Sequence, residues 1–178
     1  GHREVFELCE SYLAKNESEL KHIRAGSPRL GALRKGRDTA ARHHRYHLLK
    51  WAEIETGNLN QLARGESGLK EKAEAARNAV GVIDYALDFY PQERSLLDSR
   101  DILTEIIVSI EVSGIVEEAE KAAFDGDQKL ARVLYRDALF RLGRDNVSNE
   151  SRQLAAERIS KEMEKLDPTQ SNDADSAN

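Results

Sequence analysis

Residues 118–142 read Glu-Ala-Glu-Lys-Ala-Ala-Phe-Asp-Gly-Asp-Gln-Lys-Leu-Ala-Arg-Val-Leu-Tyr-Arg-Asp-Ala-Leu-Phe-Arg-Leu, and they decide the fold class. Ala119 and Ala122 precede a Gly126-Asp127 turn, and Ala131, Tyr135 and Ala138 follow it at helical spacing. The pattern describes two helices folded back on each other. Alanines let the two backbones approach closely, while Tyr135 and Leu134 fill the groove between them. Asp127 is placed to accept hydrogen bonds from the free amides that open the second helix.

Working outward, the apolar spacing predicts further helices on both sides of this hairpin. A first, over 3–24, carries Val5, Leu8, Cys9, Tyr12, Leu13, Leu20 and Ile23, and the Gly- and Pro-containing segment 25–31 breaks it. A second, over 37–64, carries Leu48, Trp51 and Leu62, with a kink expected at Thr56-Gly57-Asn58 and a loop over 64–68. A third, over 67–90, has the cleanest stripe: Leu69, Ala73, Ala76, Val80, Ile83, Leu87 and Tyr90. Gly81 inside it suggests a close helix contact, and Pro91 ends it. A fourth, over 93–125, is apolar nearly all round between Ile102 and Val116, which predicts a central position. The fifth, over 128–142, buries Leu130, Ala131, Leu134, Tyr135, Ala138 and Leu142, with Gly143 suited to a left-handed cap. A sixth, over 149–166, presents Ala155, Ile159 and Leu166 on an otherwise charged helix.

The composition agrees. Of the 178 residues 33% are charged and only 6% aromatic, and no alternating run rich in Val, Ile and Thr suggests a strand. The expectation is an all-α fold of about six helices, arranged as an antiparallel helical-hairpin bundle or a short repeat array. One helical domain is drawn over 3–166. The tail 167–178 has no large apolar residue and is expected to be disordered. Gly1-His2 reads as the remnant of a cleaved affinity tag, which removes His2 from any site argument.

Residues 115–144 resemble a tetratricopeptide repeat, in which two antiparallel helices keep small residues where they cross. The resemblance rests on Ala119, Ala122, Gly126, Ala131, Tyr135 and Ala138. Ile115 stands where the family has an aromatic, and Gly143 where it has a closing proline. A second, degenerate copy ends at Pro91 with Ile-Asp-Tyr-Ala-Leu-Asp-Phe-Tyr-Pro. Three-helix domains that transport proteins use to bind peptide helices share the spacing, as does a plain antiparallel hairpin. The resemblance implies a scaffold that binds another protein. The groove expected for it lies between the third, fourth and fifth helices, with Phe89, Tyr90 and Phe124 as contact residues.

Charge supplies a second candidate surface. Residues 21–50 hold nine Lys or Arg against the single acid Asp38, while the rest of the chain holds 18 basic and 31 acidic residues, for a total of −5. Arg29, Arg34, Lys35, Arg37, Arg42 and Arg45 are the candidate contacts for an acidic protein. The alternative is nucleic acid or an anionic lipid surface, since local positive charge recruits phosphates. Tyr46 and Trp51 are the only aromatics there to stack on bases, and Trp51 shares a helix face with His44 and Leu48, which favours its burial instead. A face neutralised by its own chain, or a bundle that forms a homo-oligomer through its fourth or sixth helix, are the plainer readings.

Candidate chemistry is thin. His43 and His47 lie four apart on one helix face, which can bring two imidazoles to one ion, but a third ligand must come from elsewhere and Arg42 and Arg45 flank them. No metal and no cofactor are expected, and a pH response of the basic segment is the simpler reading of the histidines. Glu19 and His22 match one half of a di-iron spacing without a second half. No phosphate loop or nucleophile elbow is present. Cys9, the single cysteine, excludes an internal disulfide and fits a reducing compartment. The stretch from Ile102 to Val116 is too short and too interrupted by Glu105 and Glu111 to span a membrane. The expectation is therefore a non-enzymatic, cytoplasmic interaction module, or the soluble part of a larger membrane-anchored protein.

Overall fold

The computed structural model describes residues 1–64, 68–144 and 150–166. Among them the chain is all-helical: α1 (His2–His22), α2 (Leu30–Arg64), α3 (Leu69–Phe89), α4 (Arg94–Phe124), α5 (Gln128–Gly143) and α6 (Glu150–Lys165). The tail expected from 167 onward lies outside the described residues, as does the middle of the loop expected over 64–68. The chain divides into two compact units, a finer division than the one domain drawn from sequence. The first is Gly1–Ser67 with Glu74–Leu103, and the second is Gly68–Ala73 with Thr104–Asn178.

The first unit is built on an antiparallel hairpin of α1 and α2. The pairs Phe6–His44, Tyr12–Gly36 and Asn16–Leu33 run in opposite directions along the two helices. The buried and half-buried positions of α1 and its C-terminal cap are 2, 5, 6, 9, 13, 16, 20 and 23. Most fall at alternating steps of three and four, the spacing of a coiled-coil seam. Phe6 is therefore 1% exposed and Leu8 is 71% exposed, although Leu8 was assigned to the apolar stripe and Phe6 was not. Both residues fit a helical repeat; the position of α2 selects one face.

Asn16 is buried in that seam, donating to the Leu33 carbonyl at 3.2 Å and to the Tyr12 hydroxyl at 3.3 Å. A buried Asn among apolar seam positions favours one register over its neighbours. A Cβ at Gly36 would run into the Tyr12 hydroxyl, so glycine lets the side chain cross the facing helix there.

Helix α2 starts seven residues earlier than expected and continues through Thr56-Gly57-Asn58 for 35 residues. Ser27 and Pro28 form the turn that leads into the helix: the Ser27 hydroxyl accepts from the Arg29 amide at 3.3 Å and the Ser27 carbonyl from the Leu30 amide at 3.1 Å. The expected close contact at Gly81 is absent, since an added Cβ there meets no atom within 4 Å.

In the second unit Val108, Val112, Ala119 and Ala122 of α4 pack with Ala131, Tyr135, Ala138 and Leu142 of α5 and Ile159 of α6. The turn between α4 and α5 closes as a Schellman motif. The Asp127 amide bonds to the Ala122 carbonyl at 2.9 Å and the Gly126 amide to Ala123 at 3.1 Å, with Gly126 at φ +85°. Asp127 then caps α5 by accepting from the Leu130 amide at 3.0 Å. Asp127→Ala is expected to destabilise this unit by about 1 kcal/mol in urea unfolding.

Three details here depart from expectation. Gly143 is the last helical residue, and the cap after it is Arg144 in extended backbone, so no left-handed glycine closes α5. Leu130, expected inside, is exposed. Helix α4 is also less enclosed than its composition suggests, since Ile102 is exposed.

Candidate functional site

The basic residues of α2 divide by helical phase. Leu33, Gly36, Ala40 and His44 face α1 and the interior, so Arg34, Lys35, Arg42 and Arg45 fall on the opposite, solvent-facing side. All four are exposed, as are Arg29 and Arg37. Their electrostatic states differ. Arg29 pairs with Glu19 at 3.2 Å, Arg37 with the adjacent Asp38 at 3.1 Å, and Arg45 with Glu93. Arg42 reaches only the Thr39 hydroxyl, at 3.5 Å. Among the described residues Arg34 and Lys35 make no ion pair. Exposed pairs such as Arg29–Glu19 contribute little to stability. The net result is a positive face on which, among the described residues, Arg34, Lys35 and Arg42 have no carboxylate partner.

Phe89 and Tyr90 belong to the first unit and Phe124 to the second, so the three form no single site within either. Phe89 is at the exposed end of an aromatic chain, 5.5 Å from Tyr85 and 5.0 Å from His44 between ring centroids. Tyr90 is half-buried, and its hydroxyl meets His44 Nδ1 at 2.7 Å. It is an inward packing residue. Phe124 is 91% exposed at the end of α4. The hairpin residues Ala119, Ala122, Ala131, Tyr135 and Ala138 are all buried together, and burial raises the Tyr135 phenol above its ordinary range.

His43 and His47 stack with ring centroids 6.3 Å apart, and His47 Nδ1 lies 3.0 Å from His2 Nδ1. Among the described residues no group of three or more His, Cys, Asp or Glu is placed to hold a metal ion. Desolvation lowers the His47 imidazole, and the neighbouring His2 and His43 lower it further. Cys9 is half-buried, and desolvation raises its thiol, which suits a packing residue better than a nucleophile.

Sequence reasoning missed two groups. His44 packs against Phe6, Phe89 and Tyr90, and Phe6 in turn against Trp51 and Tyr85, so the group draws on α1, α2, α3 and the turn after it. In the second unit Arg152 is 7% exposed and holds Glu105 through two bonds of 2.6 and 2.9 Å. Arg152 also donates to the carbonyls of Leu142 and Arg144 at the end of α5. Beside this pair lies a groove of about 510 Å³ lined by Ile106, Ser109, Val112, Ser113, Ser151 and Ala155. Its serines have no histidine among the lining residues to activate them.

None of the helices described is long and apolar enough to cross a membrane. No family model, no curated protein and no solved structure matches the chain.

Proposed function

We propose that this chain is a non-enzymatic helical interaction module that binds an acidic protein partner through the exposed face of α2. The observation that carries the reading is the run Arg34, Lys35 and Arg42, which is solvent-facing and free of carboxylate partners in an otherwise acidic chain. The tetratricopeptide-like packing of α4 on α5 supports a scaffold role, because its small residues build a close hairpin and leave Leu130, Val133 and Phe140 of α5 exposed. The lone half-buried Cys9 is in keeping with a reducing, cytoplasmic setting.

The test is affinity capture from the native cell with the wild-type chain and with Arg34→Glu/Lys35→Glu/Arg42→Glu. Three exposed contacts of about 0.5 kcal/mol each predict a loss of about tenfold in affinity for the captured partner. Unchanged capture by the triple variant removes the basic face from the reading.

The same face favours a second reading, binding to nucleic acid or anionic lipid. Titrating salt against binding to DNA, RNA and anionic vesicles separates the two. Phosphate contacts give a steep salt dependence, and the slope falls by about one for each contact removed. Weak, salt-insensitive binding to all three leaves the protein partner.

A further inference from the structure

We infer that His44 is an acid-sensitive latch: its protonation releases the end of α3, with the turn into α4, from the α1–α2 hairpin. The inference is independent of what the basic face binds.

The geometry sets the argument. His44 sits on the inner face of α2 and is 3% exposed. The ring of Phe6 from α1 packs edge-on at 6.0 Å, and Phe89 from α3 lies at 5.0 Å. One ring nitrogen, Nδ1, meets the Tyr90 hydroxyl at 2.7 Å across 46 residues of chain. The other, Nε2, is buried with no hydrogen-bond partner. A neutral imidazole tolerates this arrangement, because one nitrogen engages Tyr90 and the other is left as a single unmet polar atom. An imidazolium does not. It must donate from both nitrogens, and here the second proton would enter an aromatic wall together with a full charge.

The one countercharge that acts on His44, Glu10 of α1, does not outweigh that burial. Helix α1 offers Glu10, exposed to solvent, and the Cys9 thiol. Helix α2 offers Arg45 and His47, one of them a fixed cation. The end of α3 offers the Tyr90 phenol, itself raised by burial, and the turn after it offers Glu93, already engaged by Arg45. Burial accordingly holds the His44 imidazole below its ordinary value, with Glu10 opposing the shift weakly.

The direction of the pH effect follows from linkage. In the open form His44 takes up its proton near the ordinary value of about 6.5; in the closed form it does so only at lower pH. The open form therefore binds more protons in the interval between, and acid favours it. The closing contribution is complete above pH ~6.5 and is lost as the pH falls from there toward the depressed value. The limiting loss is about tenfold in the closing equilibrium per pH unit.

Hydrogen exchange on the whole chain, corrected for the intrinsic pH dependence of exchange, tests the latch between pH 7.5 and 5.5. Amides of 83–97 are expected to lose up to about tenfold in protection per unit below pH ~6.5, while those of the α1–α2 seam keep theirs. His44→Phe is expected to abolish the pH dependence, and His47→Gln to retain it. NMR titration of the wild-type His44 ring, which needs no variant to fold, is expected to give a value below 6.5. Constant protection across the range, an equal loss in His44→Phe, or a ring that titrates at or above 6.5 would each overturn the proposal.

Discussion

Phe6→Ala is expected to destabilise the first unit by about 3–5 kcal/mol, whereas Leu8→Ala two residues away is expected to change it by no more than about 0.5 kcal/mol. Phe6 is 1% exposed, and its ring lies 5.4 Å from Trp51, 6.0 Å from His44 and 6.3 Å from Tyr85. Truncation removes a full aromatic from water-free packing and leaves a cavity that helices joined along a seam can collapse only in part. Trp51 is the only tryptophan in the chain and sits against Phe6, so its emission during urea unfolding reads the unit directly. Equal shifts in the two variants would mean that α1 presents a different face to α2.

Arg152→Ala is expected to destabilise the second unit by about 3 kcal/mol. Removing one partner of a buried ion pair costs about 3–5 kcal/mol when both are enclosed. The Glu105 side chain retains 34% of its exposure, so water screens part of the loss and the lower end applies. The variant also strips donors from the Leu142 and Arg144 carbonyls, where α5 ends without a left-handed glycine. The double variant Glu105→Leu/Arg152→Met is expected to recover much of the stability, because apolar side chains of similar volume replace buried pairs with little loss. Urea unfolding monitored by circular dichroism measures both. A double variant no more stable than Arg152→Ala would show that the carbonyl bonds, not the ion pair, hold α6 in place.

These two expectations concern residues that the linear pattern did not single out. The α4–α5 hairpin was legible because each of its signals is local. Ala119, Ala122, Ala131 and Ala138 mark a close crossing, and Gly126-Asp127 satisfies both its left-handed turn and its N-cap within six residues of chain. Helix ends with the same local chemistry, such as Pro91, were equally readable. Ser27-Pro28 forms the turn that leads into α2, but a proline between Gly26 and Gly31 reads equally as a longer break.

Burial was less legible than helicity. Leu8 and Phe6 are both apolar and both fit a helical repeat, and nothing within α1 separates them until α2 occupies one side. His44 shares a helix face with Leu48 and Trp51, yet it lies between His43 and Arg45 in a basic run, and that pattern does not say what covers it. Its interior position depends on Phe6, 38 residues earlier, and Tyr90, 46 residues later. Arg152 likewise stands in a heavily charged helix, and its burial depends on Glu105 and on the end of α5.

The basic face shows both kinds of information at once. Its charge excess over 21–50 is a property of the sequence alone. Which of those cations stay available is not: Arg29 and Arg45 are taken up by Glu19 and Glu93, while Arg34, Lys35 and Arg42 keep their charge without a carboxylate. Residue types and their spacing determined that this chain is helical, where its turns fall and which segment is positive, because propensity, capping and charge act over a few residues. Which face of each helix is inside, which cations are paired and which histidine is buried were decided by the tertiary structure. Packing and desolvation depend on neighbours that the chain brings together from far apart.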